Sequence, residues 1–178
     1  FFIIGAQKCG TTSLHDYMNQ HPFCTGALRK ETLFFTKKYR GTVTLERLVG
    51  HFSFKKLMRN RGKCLFFEST PDNVYEEAAP GRIYKYNPKA KLIFLVREPV
   101  SRAISEYNMA CKYAIVKNLC VREDPEREYF DYLRQPDKYP FEWFVKEEFR
   151  RMEETGSRLP SAFHYPDFIR HGLYSEQL

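Results

Sequence analysis

The residue types that could do chemistry begin at Gly5-Ala6-Gln7-Lys8-Cys9-Gly10-Thr11-Thr12-Ser13. Glycine lets backbone amides converge without interference from a Cβ. Lys8 supplies a mobile point charge, and the hydroxyls that follow can donate to oxygens. A helix starting near Thr11 adds its positive end to the same spot. Together these groups describe a cradle for a phosphate-like anion. A second grip is offered by Arg97, whose guanidinium fork suits a phosphate. Ser105 follows Pro99 by six residues, where a helical hydroxyl can face the site that Arg97 serves. Two carboxylates complete the set: Glu31, in Arg29-Lys30-Glu31-Thr32-Leu33-Phe34-Phe35, and Glu68, which ends an apolar run before Ser69-Thr70-Pro71-Asp72.

The elements that must position these residues can be read from apolar patterning. Phe1–Gly5 reads as a buried strand and Thr11–Gln20 as the helix after it, ended by His21-Pro22 because proline disfavours the helical conformation in the residue before it. Thr44–Phe52 reads as a short helix, with Leu45, Leu48 and Val49 on one face. Cys64–Glu68 is a second apolar run, and 73–86 is expected to be helical but broken at Pro80-Gly81. Lys91–Val96 is the clearest strand. Pro99 suits a first helical turn, so Val100–Tyr113 is expected to be a helix. Residues 118–139 read as loop and short helix, Phe141–Glu154 as an amphipathic helix with a core-facing stripe, 156–170 as irregular, and 174–178 as the start of a helix. Three strands alternating with helices predict an α/β fold with a parallel sheet. In such sheets ligands sit at the carboxyl ends of the strands, where Lys8, Glu68 and Arg97 all fall.

Composition narrows the field of ligands. The chain has 178 residues, 29 Lys+Arg against 22 Asp+Glu and a formal charge of +7, so an anionic ligand is favoured. The basic residues are dispersed and no nucleic-acid recognition motif stands out, so nucleic acid is not expected as a partner. No apolar stretch is long enough to span a membrane. Cys9, Cys24, Cys64, Cys111 and Cys120 lack metal-ligand spacing, and no metal site is expected. Cys111 and Cys120 read either as a bridge across a loop or as separate buried thiols. His15, His21 and His51 read as structural or exposed.

The glycines at 5 and 10 have the separation of a nucleoside-triphosphate loop, yet Thr11 stands where that loop carries its lysine. The lysine has moved inside, to Lys8. This favours an anion other than the β,γ-phosphates of ATP, although a P-loop kinase or phosphotransferase remains an alternative, as does a non-catalytic polyanion-binding module.

Gly5–Leu14 resembles the 5′-phosphosulfate loop of sulfotransferases that use 3′-phosphoadenosine 5′-phosphosulfate (PAPS) as donor. Arg97-Glu98-Pro99-Val100-Ser101-Arg102-Ala103-Ile104-Ser105-Glu106-Tyr107 is similar to that family's R-x-P-x-x-R-x-x-S-x-Y segment. The resemblance implies a P-loop-type three-layer sandwich with a central parallel sheet flanked by helices. It also implies that Gln7, Lys8, Cys9, Gly10, Thr11, Thr12 and Ser13 hold the 5′ side of the donor, while Arg97 and Ser105 hold its 3′-phosphate. Arg102 reads either as an ion pair between helix and loop or as a ligand contact, and Tyr107 as packing.

Lys30-Glu31-Thr32-Leu33-Phe34-Phe35 looks like the K-E-x-x-F-F segment of the Golgi carbohydrate branch, which includes heparan sulfate and glycosaminoglycan enzymes. That resemblance implies Glu31 as general base, Lys8 as electrostatic catalyst, and Lys30 and Glu68 as acceptor-side residues, with no metal. Phe34 and Phe35 read as core or pocket wall. Ser69 stands where related enzymes carry lysine in E-K-[ST]-P, so that cation is missing here. For Glu68 the alternatives are orienting the acceptor or Lys8, and a strand-end ion pair. His171-Gly172-Leu173-Tyr174-Ser175-Glu176-Gln177-Leu178 resembles the family's G-x-Y-x-x-Q-L segment. Residues 1–178 thus read as one sulfotransferase domain cut at both ends, acting on an anionic glycan or proteoglycan. By the same resemblance the enzyme sits in the Golgi lumen, as a type II membrane protein anchored by a segment outside this chain.

Overall fold

The computed structural model describes residues 1–36, 44–117, 127–156 and 167–177. The chain divides into two compact units, Phe1–Val96 and Arg97–Leu178.

The first unit is built on four parallel strands, β1 (Phe2–Gly5), β2 (Cys24–Gly26), β3 (Leu65–Ser69) and β4 (Leu92–Phe94), in the order β2-β3-β1-β4. Alternation along β1 explains the layers, since successive side chains of a strand point to opposite faces. Phe2 and Ile4 pack with Phe34, Phe35 and Leu48, and with Ala79, Ile83 and Tyr86 of helix α4 (Ala79–Tyr86). Ile3 packs instead with Cys24, Phe67, and Leu14 and Met18 of helix α1 (Thr11–Gln20). One face therefore carries α1 and the other α4, which is the expected three-layer α/β arrangement. From the adjacent strands β1 and β3 the chain leaves in opposite directions, toward β2 and β4. Divergence of this kind opens a crevice at the carboxyl ends of such strands.

Two short helices, α2 (Leu45–Val49) and α3 (Lys55–Arg59), lie between β2 and β3. Thr44 caps α2 by accepting from the Arg47 N–H at 3.4 Å. The sequence led us to expect three strands, and β2 is an addition. Its Cys-Thr-Gly carries no apolar run, and it is a strand because it pairs in parallel with Leu65–Phe67. The expected break at Pro80-Gly81 is also corrected. Pro80 lies in the first turn of α4, where a missing N–H costs nothing, and a separate 3₁₀ turn covers Pro71–Val74.

The second unit holds helices α5 (Pro99–Lys117), α6 (Arg127–Leu133) and α7 (Phe141–Thr155), followed by 3₁₀ turns at Arg170–Gly172 and Tyr174–Glu176. The α5 helix runs four residues past the expected Tyr113. Ala103, Tyr107, Cys111, Ala114, Leu133, Phe144 and Phe168 form its core. Tyr107 is packing, as expected: its ring meets Phe141, Phe144 and Phe168. Cys111 is a buried free thiol, and Cys120 lies outside the described residues. Among the described residues no helix is long and apolar enough to cross a membrane.

Candidate active site

In the first unit the cradle has the form its sequence implies. Gly5 ends β1, with its carbonyl accepting from the Leu95 N–H at 2.8 Å, and the Ala6 N–H returns a bond to the Leu95 carbonyl at 2.8 Å. The Gln7 N–H donates to the Tyr75 hydroxyl at 3.2 Å. Lys8 takes a left-handed backbone, φ 68°, and Gly10 another, φ 91°, immediately before α1. Gly10 gives no side-chain cap, and the first turn contains no acidic residue. The leading amides of α1 are thus among those that no intrahelical carbonyl satisfies. Thr11 is buried, whereas Thr12 and Ser13 are exposed, so their hydroxyls are the ones a ligand can reach. Lys8, the amides and these hydroxyls form a donor set at a helix start with no side-chain cap and no acidic residue in its first turn, and such a set fits a phosphate-like anion.

The start of α5, in the second unit, is the opposite case. Glu98 caps it, accepting from the N–H groups of Val100 at 2.9 Å and Ser101 at 2.6 Å. Bonds from Ser101 and Val100 hold the Glu98 carboxyl below its ordinary pKa. A helix end closed by an anion has no electrostatic appetite for another. Of these two helix starts, that of α1 is uncapped and that of α5 is closed by Glu98.

Glu31 lies where its segment crosses the surface. Its side chain is 47% exposed, and Lys30 Nζ donates to Glu31 Oε1 at 2.7 Å. A pair this wet adds little stability, but it leaves the carboxylate within reach of an incoming molecule, as a base requires. Immediately after it the chain dives inward: Phe34 and Phe35 are fully buried and belong to the core. Burying each ring is worth roughly 2–3 kcal/mol, so Glu31 sits beside a fixed anchor.

Glu68 is fully buried and takes part in no ion pair among the described residues. Its Oε1 accepts from the Thr32 N–H at 3.2 Å, from Thr32 Oγ1 at 3.0 Å and from Thr70 Oγ1. Asn73 Nδ2 stands 3.5 Å from Oε2. The structure thus puts Glu68 to holding the segment behind Glu31, a use different from the acceptor contact expected of it. Ser69 is buried too, its Oγ 2.9 Å from His15 Nδ1. Burial, aided by the Lys30 charge, pushes the His15 pKa down, so this histidine is structural, as expected. Thr70 and Asn73 had no signal in the sequence beyond their place after the end of β3, and Thr32 had none beyond its place beside Glu31.

In the second unit Arg97 is exposed, and Tyr174 clamps its backbone. The Arg97 N–H donates to the Tyr174 hydroxyl at 3.2 Å, and that hydroxyl donates to the Arg97 carbonyl at 2.9 Å. Here the G-x-Y-x-x-Q-L-like segment has a structural task. Ser105 is half-buried on α5. For Arg102 the open alternative is decided in favour of structure. It is fully buried, donating to Glu106 Oε2 at 2.5 Å and to the Phe168 carbonyl. Glu106 also meets His171 Nδ1 at 2.9 Å. Among the described residues no cluster of His, Cys, Asp and Glu could hold a metal.

Residues 1–157 match the family model described as the sulfotransferase domain. The chain belongs to that family. A solved sulfotransferase from Alicyclobacillus acidocaldarius has the same fold, with TM-score 0.61 and 23% identity over 99% of this chain and 65% of that one. Among curated sulfotransferases, the human heparan sulfate glucosamine 3-O-sulfotransferase 6 is 38% identical over 106 residues, 59% of this chain and 28% of that protein. The membrane-associated sulfotransferase kil1 of Dictyostelium discoideum is 31% identical over 113 residues, 64% of this chain and 23% of its own length. Mouse carbohydrate sulfotransferase 15 is 25% identical over 147 residues, 60% of this chain and 26% of that protein. This sulfotransferase chain therefore spans between about a quarter and a third of the curated relatives it matches.

Proposed function

We propose that the chain carries the donor cradle and general base of an enzyme that moves the sulfuryl group of PAPS to a hydroxyl or amine of a carbohydrate. The observation that carries this reading is the open, uncapped start of α1 behind the Lys8 loop, within a match to the sulfotransferase family. In this reading Gln7–Ser13 hold the 5′-phosphosulfate, chiefly through backbone amides and the exposed hydroxyls of Thr12 and Ser13. Lys8 neutralises charge that grows on the sulfuryl group and the bridging oxygen. Glu31 takes the proton of the attacking acceptor atom as it approaches sulfur in line, and Lys30 keeps the carboxylate paired until then. Arg97 and Ser105 take the 3′-phosphate, a role supported by their family-like segment.

The relatives named for heparan sulfate and carbohydrate sulfation, with the +7 charge, support an anionic glycan or proteoglycan as acceptor. A place in the Golgi lumen, with a type II anchor outside this chain, rests on the likeness of residues 30–35 to the Golgi carbohydrate branch, and the membrane association in the name of the Dictyostelium relative agrees with an anchored enzyme. The test is transfer of labelled sulfate from PAPS to a glycan panel by the full-length protein. Glu31→Gln should lose transfer by roughly 10²-fold or more while 3′,5′-ADP still binds. Equal transfer by the variant removes Glu31 from its role, and magnesium-dependent ATP binding with no sulfate transfer removes the reading altogether.

A further inference from the structure

We propose that Glu68 is a positioning residue that fixes the Glu31 segment through hydrogen-bond acceptance by one oxygen, Oε1, and not through negative charge. This rests on the reading of Glu31 as base, but its structural half can be tested alone.

The direction of every bond to Oε1 is set. The Phe34 N–H donates to Thr32 Oγ1 at 3.2 Å, so that hydroxyl turns its proton to Glu68. The Leu33 N–H donates to Thr70 Oγ1 at 3.2 Å, and the Thr70 hydroxyl likewise donates to Glu68. Three donors therefore converge on Oε1, and two further amides stand behind them. The strap they hold includes Leu33, whose left-handed backbone, φ 58°, a branched side chain adopts only under outside restraint. Glu31 is the residue just before this strap.

The other oxygen has a different environment. Among the described residues Oε2 meets only the Asn73 amide, at the outer limit of a hydrogen bond, while Asn73 Oδ1 is buried with no partner. The two ends of an asparagine amide exchange on a half-turn. Turned over, Asn73 offers its oxygen to Oε2 and carries its NH2 to the place where Oδ1 stood, so that a proton on Oε2 has an acceptor. A neutral acid, donating from Oε2 and accepting three times at Oε1, can be seated in this site without a counter-ion. The absence of a cationic partner agrees, and burial pushes the Glu68 pKa up in the same direction. Glutamine has the same pattern of one acceptor and one donor, so it should serve in place of Glu68.

The experiment compares Glu68→Gln, Glu68→Ala and Thr32→Val in the full-length protein. Amide hydrogen exchange at residues 32–34, sulfate transfer and 3′,5′-ADP affinity are read for each. Glu68→Ala should speed exchange at these amides and lower kcat, each by about tenfold or more. Its 3′,5′-ADP affinity and its KM for PAPS should stay within about threefold of wild type. Glu68→Gln should remain within about threefold on every readout. If Glu68→Ala does not fold, Thr32→Val supplies the loosened strap, with faster exchange at residues 33 and 34. A Glu68→Gln protein as impaired as the loosened variant shows that charge matters and overturns the proposal, as does unchanged exchange in that variant. Should the wild type transfer no sulfate, the proposed function fails and the exchange data alone decide the role of Glu68.

Discussion

Glu148 on α7 offers a stability test whose size follows from its surroundings. It is fully buried, accepting from the N–H groups of Ile169 at 2.9 Å and Arg170 at 2.8 Å. Burial pushes its pKa up to about 7, the Asp167 charge adds to the rise, and the two amides and His171 oppose it. A carboxyl whose folded pKa is raised stabilises fully below its unfolded value, near 4.5, and that stability is lost as pH rises through about 7. The whole window is worth roughly 3 kcal/mol, or on the order of 10 °C in Tm for a chain of this size. Glu148→Gln removes the titration but leaves one N–H facing an amide donor, at a cost of about 1–3 kcal/mol. The variant should therefore start less stable than wild type at pH 5 and converge on it, or pass it, by pH 8. Thermal unfolding of both proteins across that range reads the effect. His171, whose pKa is lowered by burial but raised on balance by Glu106, titrates in both proteins, and its charge couples to Glu148, so it cancels only in part and the compared slopes include that coupling. Parallel Tm profiles, offset by a constant, would refute the reasoning.

Two further outcomes follow from the ends of the strands. A Cβ at residue 5 would come within 2.7 Å of Val74 Cγ1 and 3.1 Å of the Pro71 carbonyl oxygen. Gly5→Ala should thus cost about 1–3 kcal/mol by overpacking, seen as a lower denaturation midpoint; an unchanged midpoint would show that the turn yields freely. Arg97→Ala should weaken 3′,5′-ADP by about 10–100-fold more than 5′-ADP, the worth of a charge-assisted bond. Isothermal titration would settle it, and a uniform loss would contradict the assignment of Arg97 to the 3′-phosphate.

Local signals made much of this legible. The run into Gly5 and the glycine before Thr11 marked β1 and α1, and the α1 bounds of Thr11–Gln20 matched those expected. The hydroxyl-rich helix start and the exposed glutamate were readable because each depends on neighbours in sequence. What escaped was set by distant partners. The β2 strand exists through pairing with residues some 40 positions away. Arg102 looked equally suited to ligand or ion pair until Glu106 and the Phe168 carbonyl closed around it. The task of Glu68 depended on Thr32, which no spacing rule connects to a strand end.

The departure at Ser69 shows how packing constrains the chemistry. A lysine there would have to place its ammonium in a fully buried position, against an imidazole already disfavoured from taking a proton. The same imidazole fixes its neighbours tightly: a Cβ on Gly26 would come within 2.8 Å of its Cε1, and Phe67 packs edge-on against it. His15 thus locks α1, β2 and β3 together immediately behind the cradle, and a small neutral hydroxyl is the partner that this lock accepts. A cation at residue 69 and the His15 contact are alternatives. With the lock present, the positive charge for the proposed transfer falls in this unit to Lys8, inside the loop, and to Lys30, already in contact with Glu31.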